Sequence, residues 1–209
     1  MPRNERRKEQ RPDEILDAAL EEFANRGYAQ TRLEDVASRA GISKGLVYVY
    51  FRTKEELFKA AIRTFLIPRF EALEAELHGS DLSTEALVRG PVLNLMKRVV
   101  NSRMGYVVRL MIAEGPKHPD LTAFYHEQVV SRGMGLVSWI INRGIARGEF
   151  RPAAIKDFPQ LFVAPVMMAI VWKMLMERHQ PLDVDAMLEA HVDALLCTLK
   201  TAAEAVNQS

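Results

Sequence analysis

From Ile15 to Leu199 the apolar residues recur at helical spacing, and no stretch alternates apolar with polar between turn residues. That pattern confines the chain to an all-α fold. The first helix opens at Pro12, with Asp13 and Glu14 in its first turn. Ile15, Leu16, Ala19, Leu20 and Phe23 form its apolar stripe, and Gly27 stops it. Thr31 to Glu34 reads as a capping box opening a short second helix, with Val36, Ala37 and Ala40 inward and Gly41 at its end. Ser43 caps a third helix over 44–51. Thr53 to Glu56 is a second capping box, opening a helix that runs towards Leu77 with a break near Pro68. Further helices are expected near 83–101, bent at Gly90-Pro91, and near 103–114, 119–147, 157–179 and 184–205, about nine in all.

Composition narrows the function classes. The 209 residues are 48% apolar and 26% charged, enough for one large or two modest cores. The single cysteine, Cys197, excludes an internal disulfide and reads as a small core residue. No apolar run reaches the roughly 20 residues needed to span a bilayer, and the N-terminus lacks a signal-peptide pattern, so a cytoplasmic protein without a membrane partner is expected. There is no HExxH, no GxSxG and no phosphate-cradling glycine loop. The expectation is therefore no enzyme, with no catalytic residue, metal or cofactor. His118 sits in a Gly/Pro loop and reads as a surface residue. Net charge is only +1, but Arg3, Arg6, Arg7, Lys8 and Arg11 face only Glu5 and Glu9. Residues 1–10 can therefore be a basic flexible arm that tracks phosphates, or simply a solvated tail.

The informative unit is the pair of short helices joined by Gly41, Ile42 and Ser43. Two short helices around a glycine turn are the helix-turn-helix arrangement, whose second helix offers its N-terminal residues to base edges. On the third helix Val47, Tyr50 and Phe51 share one arc and are expected to pack inward. Gly45, Tyr48 and Val49 lie opposite, with Lys44 and Leu46 at the helix start. An apolar, aromatic outer face on so short a helix suits a groove partner: apolar groups can touch thymine methyls and Lys44 can reach guanine acceptors. The pattern alone also admits an ordinary helical hairpin.

The stretch from Gly41 to Leu57, GISKGLVYVYFRTKEEL, with Gly27-Tyr28, Thr31 and Asp35 to Ala37 before it, closely resembles the signature of the TetR family of bacterial repressors. The resemblance covers about residues 10–60. It implies an all-helical homodimer: a three-helix DNA-binding domain at 11–60 and a helical ligand-binding and dimerisation domain at 61–209. It implies a palindromic double-stranded operator, repression, and release by a small effector. The alternative left open is control by a protein partner without a small-molecule inducer. By position, Tyr48 and Lys54 would contact phosphates and Thr31 would sit at the phosphate backbone. Ser43, Lys44, Gly45, Leu46, Val49 and Tyr50 would lie at or beside the groove. Arg32 stands where many members carry a second hydroxyl residue, and either takes a phosphate contact or reads a guanine.

For the effector, the candidates are Met96, Met104, Tyr106, Met111, Phe124, Tyr125, Trp139, Met167, Met168 and Trp172. Pockets are mostly apolar and methionine adapts to irregular ligands, although the same residues also serve as core. No basic cluster accompanies them, which favours an apolar or neutral effector. Phe158, Leu161, Phe162, Val166, Ala169 and Ile170, with Leu188, Val192, Leu195, Leu196 and Leu199, are candidates for a four-helix dimer interface and for internal packing alike.

Overall fold

The computed structural model describes residues 3–200, with side chains from Pro12 onward. In chain order its helices are α1 (Arg3–Arg26), α2 (Leu33–Arg39), α3 (Lys44–Tyr50), α4 (Lys54–Phe65), α5 (Ile67–His78) and α6 (Thr84–Leu87). Then follow α7 (Leu93–Asn101), α8 (Arg103–Glu114), α9 (Pro119–Tyr125), α10 (Ser131–Ala146), α11 (Gln160–Leu175) and α12 (Val184–Leu199). Among the described residues there is no strand, only an isolated bridge between Phe150 and Lys200. The all-α expectation holds.

Twelve segments replace the expected nine because three long helices are interrupted. Leu66 separates α4 from α5, two residues before the Pro68 break. A π turn at Val88–Val92, holding Gly90 and Pro91, divides 84–101. A second, at His126–Val130, divides 119–146 and has no such signal. The first helix begins at Arg3 rather than Pro12, so the expected flexible arm is drawn as helix from its third residue. Arginine, glutamate, lysine and glutamine dominate residues 5–11 and are strong helix formers; residues 1 and 2 lie outside the described residues.

The chain forms two compact units, one from its start to Pro68 with Arg103–Gln128, the other from Arg69–Ser102 with Val129 onward. In the first unit α8 and α9 pack with the N-terminal helices. In the first unit Ile15, Leu20 and Phe23 of α1, Val36 of α2, Val47 of α3 and Leu57, Phe58 and Ile62 of α4 are buried. Each such side chain contributes about 1.5–3 kcal/mol of burial. Phe23, Tyr28 and Phe58 form an aromatic cluster with ring centroids 5.3, 5.9 and 6.1 Å apart. His118, expected at the surface, stands edge-on to Tyr28 at 4.8 Å.

The second unit is centred on Leu87, Val88, Val100, Ile140, Ile141, Phe162, Ala169, Ile170, Leu188, Val192 and Leu196. Most of the expected dimer set is therefore internal core. Phe158 and Leu161 are exposed instead. Cys197 is also exposed, correcting its assignment to the core. It lies on the outward side of α12 with Ala190 and Ala194, at helical spacing, opposite buried Val192 and Leu196. Among the described residues no helix is long and apolar enough to cross a membrane, and no His, Cys, Asp and Glu group is placed to hold a metal ion.

Candidate nucleic-acid interface

The α2–α3 turn is built as its residues require. Gly41 takes φ +66°, which side-chain-bearing residues rarely adopt. The Ile42 N–H then donates back to the Ala37 carbonyl at 3.0 Å. Ser43 caps α3, its hydroxyl accepting from the Leu46 N–H at 3.3 Å. Val36, Ala37 and Val47 close the space between the two helices. Charge ties α2 to α1. Glu22, buried on the α1 stripe seven residues after Ile15, accepts from Arg39 at 2.5 Å and faces Arg26 at 3.2 Å. Arg26 also reaches Asp35 at 3.1 Å.

This frame leaves the opposite face of α3 open. Val47 is fully buried, whereas Val49, two residues on, is 76% exposed. Lys44, Gly45 and Tyr48 are exposed beside it, Leu46 is half-buried, and nothing lies within 4 Å of where a Gly45 side chain would stand. Tyr50 departs from the expected inward arc: it is exposed, tilted against buried Phe51 at 6.4 Å. The α3 helix ends at Tyr50, and Phe51 in extended backbone takes the inward place.

Lys44 and Tyr48 share a partner in Glu34, a residue of the expected α2 capping box. Glu34 Oε1 lies 2.5 Å from Lys44 Nζ and accepts from the Tyr48 hydroxyl at 3.3 Å. The hydrogen bond from Lys44 holds the Glu34 carboxyl below its ordinary range, and Glu34 in turn raises Lys44. The α2 cap stands one residue later than Thr31. Arg32 is the cap position, its N–H donating to Asp35 Oδ2 at 3.0 Å. Thr31 is buried, its hydroxyl donating to the Gly27 carbonyl at 2.8 Å.

Thr31, Arg32, Tyr48 and Lys54 do meet, in a cleft of about 750 Å³ also lined by Arg26, Glu34, Asp35 and Arg52. Two of these side chains are engaged within the free chain. Thr31 gives its hydroxyl inward and has little surface for a phosphate. Lys54 donates to the carbonyls of Tyr28 at 2.6 Å, Ala29 at 2.8 Å and Thr31 at 3.5 Å, with its ammonium 4.6 Å from the Tyr28 ring centre. All three ammonium donors are thus committed to the loop before α2. Burial lowers the Lys54 pKa, with Glu114 opposing. Arg32 and Arg52 form no ion pair among the described residues, and their guanidiniums are the cleft's available anion donors. Arg52 was missed by sequence reading; its signal was a lone arginine between the end of α3 and the Thr53 cap of α4.

The effector candidates are divided. Met104, Tyr106, Met111, Phe124 and Tyr125 belong to the first unit; Met96, Trp139, Met167, Met168 and Trp172 belong to the second. Met96 and Met104 are buried core. Tyr106 is covered by Arg109 at 4.6 Å, and Phe124 by Lys59 and Arg63 at 5.5 and 4.9 Å. Trp139 lies tilted against His78 at 4.6 Å, and the Trp172 indole donates to the Gln180 carbonyl at 2.8 Å. Met167 and Met168 are exposed, and burial pushes the Tyr125 phenol up to about 12.

Two family descriptions match the chain: bacterial regulatory proteins of the tetR family over residues 15–61, and a tetracyclin repressor-like C-terminal domain over residues 88–195. The transcriptional repressor KstR2 of Mycolicibacterium smegmatis is 30% identical over 156 residues, covering 73% of this chain and 74% of that protein. The fatty acid metabolism regulator protein of Bacillus subtilis is 30% identical over 146 residues, covering 69% and 74%. Among solved structures, FadR from Bacillus subtilis in complex with stearoyl-CoA superposes with a TM-score of 0.73 at 19% identity, over 88% of this chain and 97% of that one. With its helix-turn-helix inside the first matched segment and a repressor-like C-terminal segment behind it, the chain belongs to the TetR family of bacterial DNA-binding transcriptional regulators.

Proposed function

We propose that the chain is a homodimeric repressor that reads a palindromic operator with the exposed face of α3 and releases it on binding a small apolar effector. The observation that carries the reading is the contrast across α3. Val47 anchors the helix in the core while Lys44, Gly45, Tyr48 and Val49 stand open on its other side. Lys44 can donate to guanine N7 and O6, Val49 can meet a thymine methyl, and bare Gly45 permits close backbone approach. Arg32 and Arg52 in the adjoining cleft supply phosphate contacts, which fix register without reading sequence.

Dimerisation is supported by the outward side of the second unit. Leu161, Met168 and Leu175 of α11 are 56%, 46% and 63% exposed at seven-residue intervals, and exposed Ala190, Ala194 and Cys197 line α12. An apolar stripe of this period suits helix pairing about a two-fold axis. The effector class rests on the relatives: one is a fatty acid metabolism regulator, and a similar fold holds stearoyl-CoA. The fold of a ketosteroid transcriptional regulator from Mycobacterium tuberculosis is similar as well, so a long-chain acyl or steroid-like molecule is the effector class.

The test is a mobility shift with the purified chain and a duplex it has enriched from a random library, titrated with stearoyl-CoA and with a 3-ketosteroid. Release of the duplex, with thermal stabilisation of the chain by the same ligand, supports the reading. A chain that enriches no duplex, or holds its duplex unchanged with every ligand of both classes, sinks the operator or the effector part respectively.

A further inference from the structure

We propose that Lys44 and Glu34 act together as one recognition unit for a G·C base pair, which makes Glu34 a specificity-determining residue of the reading head. The inference rests on the proposal that α3 enters the major groove. Glu34 belongs to α2, yet its carboxylate stands on the open face with both partners from α3, 2.5 Å from Lys44 Nζ and 3.3 Å from the Tyr48 hydroxyl. An exposed carboxylate among the phosphate-facing donors of a DNA-binding surface repels DNA unless the DNA offers it a hydrogen-bond donor. In the major groove the donors are the exocyclic amines of cytosine and adenine.

The geometry selects between them. Lys44 Nζ is a donor without acceptor capacity and ionised Glu34 an acceptor without donors, side by side. A G·C pair presents the complementary edge: guanine O6 and N7 accept, and the neighbouring cytosine N4 amine keeps one proton free for the groove. Guanine O6 and cytosine N4 are themselves hydrogen-bonded at about 2.9 Å, close to the 2.5 Å between Nζ and Oε1. The ion pair can therefore dock without separating, Lys44 on guanine and Glu34 on cytosine. The reversed pair, C·G, sets amine against ammonium and carbonyl against carboxylate. A T·A pair keeps the order of acceptor and donor, but it lacks the guanine N7 and sets a methyl beside Lys44. Cation–ring contact between Lys44 and Tyr48, at 5.6 Å, helps hold the unit in place.

The experiment is selection of duplexes from a random library by the full-length wild type and by Glu34→Gln. Affinities are then measured for all four base pairs at each position of the enriched half-site, with Glu34→Ala as a second variant and thermal unfolding as a control. Glutamine keeps the shape but both donates and accepts. The wild type is expected to lose about tenfold when one G·C in each half-site is reversed, and Glu34→Gln and Glu34→Ala, which keep the Lys44–guanine contact, about threefold at that position alone. Affinity for a shuffled duplex should rise in both variants. Identical base-pair profiles in wild type and variants overturn the proposal while leaving the operator reading intact. An equal gain on every duplex, with no change of profile, overturns it as well, since that is charge removal alone. A wild type that enriches no duplex overturns both.

Discussion

Val47 and Val49 lie two residues apart on α3, one with no exposed surface and the other 76% exposed, so one substitution made at both sites separates anchoring from reading. Val47→Ala removes two methyl carbons from the seam between α2 and α3. At about 0.8 kcal/mol per buried carbon, transfer costs about 1.6 kcal/mol. A residual void of about 40 Å³ at about 24 cal/mol per Å³ adds roughly 1 kcal/mol, and the better helix propensity of alanine returns about 0.5. The net loss is about 2 kcal/mol, a fall in Tm of about 4–8 °C for a chain of this size. Val49→Ala loses no buried contact in the free chain, so only the propensity gain remains and Tm should rise by about 1–2 °C. Its effect falls on DNA: two methyls that would be covered by a groove are worth about three- to tenfold in affinity. Differential scanning calorimetry and fluorescence anisotropy at 15 °C, where both variants are folded, measure the two quantities. Equal Tm losses at the two sites, or unchanged DNA affinity in Val49→Ala, would refute the assignment of the two faces.

Other perturbations follow from single contacts. Lys54→Met should lower Tm, since it strands the carbonyls of Tyr28 and Ala29, and should leave the salt dependence of DNA binding nearly unchanged. A slope reduced by about 0.9 with Tm intact would return Lys54 to a phosphate. His191 sits half-buried on α12 with Nε2 at 3.2 Å from the Phe162 carbonyl, and burial depresses its pKa. The unfolded chain then takes up the proton first, so stability present above the ordinary histidine range, near pH 6.5, is lost as pH falls below it. The difference in Tm between wild type and His191→Gln should therefore shrink from pH 7.5 to pH 5; a constant difference would contradict this. Gly144→Ala would place a carbon 2.1 Å from Phe150 Cδ2, and overpacking of this kind costs about 1–3 kcal/mol. Phe150→Leu in the same chain should recover part of the loss in a urea titration.

Much of the frame was legible because it depends on local chemistry. Gly41, Ser43 and Thr53 each impose a turn or cap whatever surrounds them, and the stripe from Ile15 to Phe23 can bury only one face. What escaped depends on choices between competing local partners or on contacts more distant in sequence. The capping frame of α2 turned on whether Thr31 or Arg32 takes the cap; the choice is made by Gly27, which accepts the Thr31 hydroxyl, and by Asp35, which accepts the Arg32 N–H. Position along the motif placed Lys54 at a phosphate, but three carbonyls from the loop before α2 hold it inward. Glu34 was visible as a helix-start carboxylate, and nothing local to it announced Lys44 ten residues away. In the second unit apolar periodicity named the right helices but could not divide core from outer face, because Phe162 and Leu161 read alike until α12 covers one of them. The apolar effector candidates spread over both units for the same reason.

The central claim, a two-fold pair of α3 helices in successive major grooves, is tested most directly by guanine-N7 methylation interference together with hydroxyl-radical footprinting on the duplex the wild-type chain enriches. The expected pattern is two protected half-sites related by a dyad, centred about one helical turn or a whole multiple of it apart. Methylation of a guanine in each half-site should block binding. A single asymmetric footprint, or binding indifferent to methylation in the major groove, would contradict it.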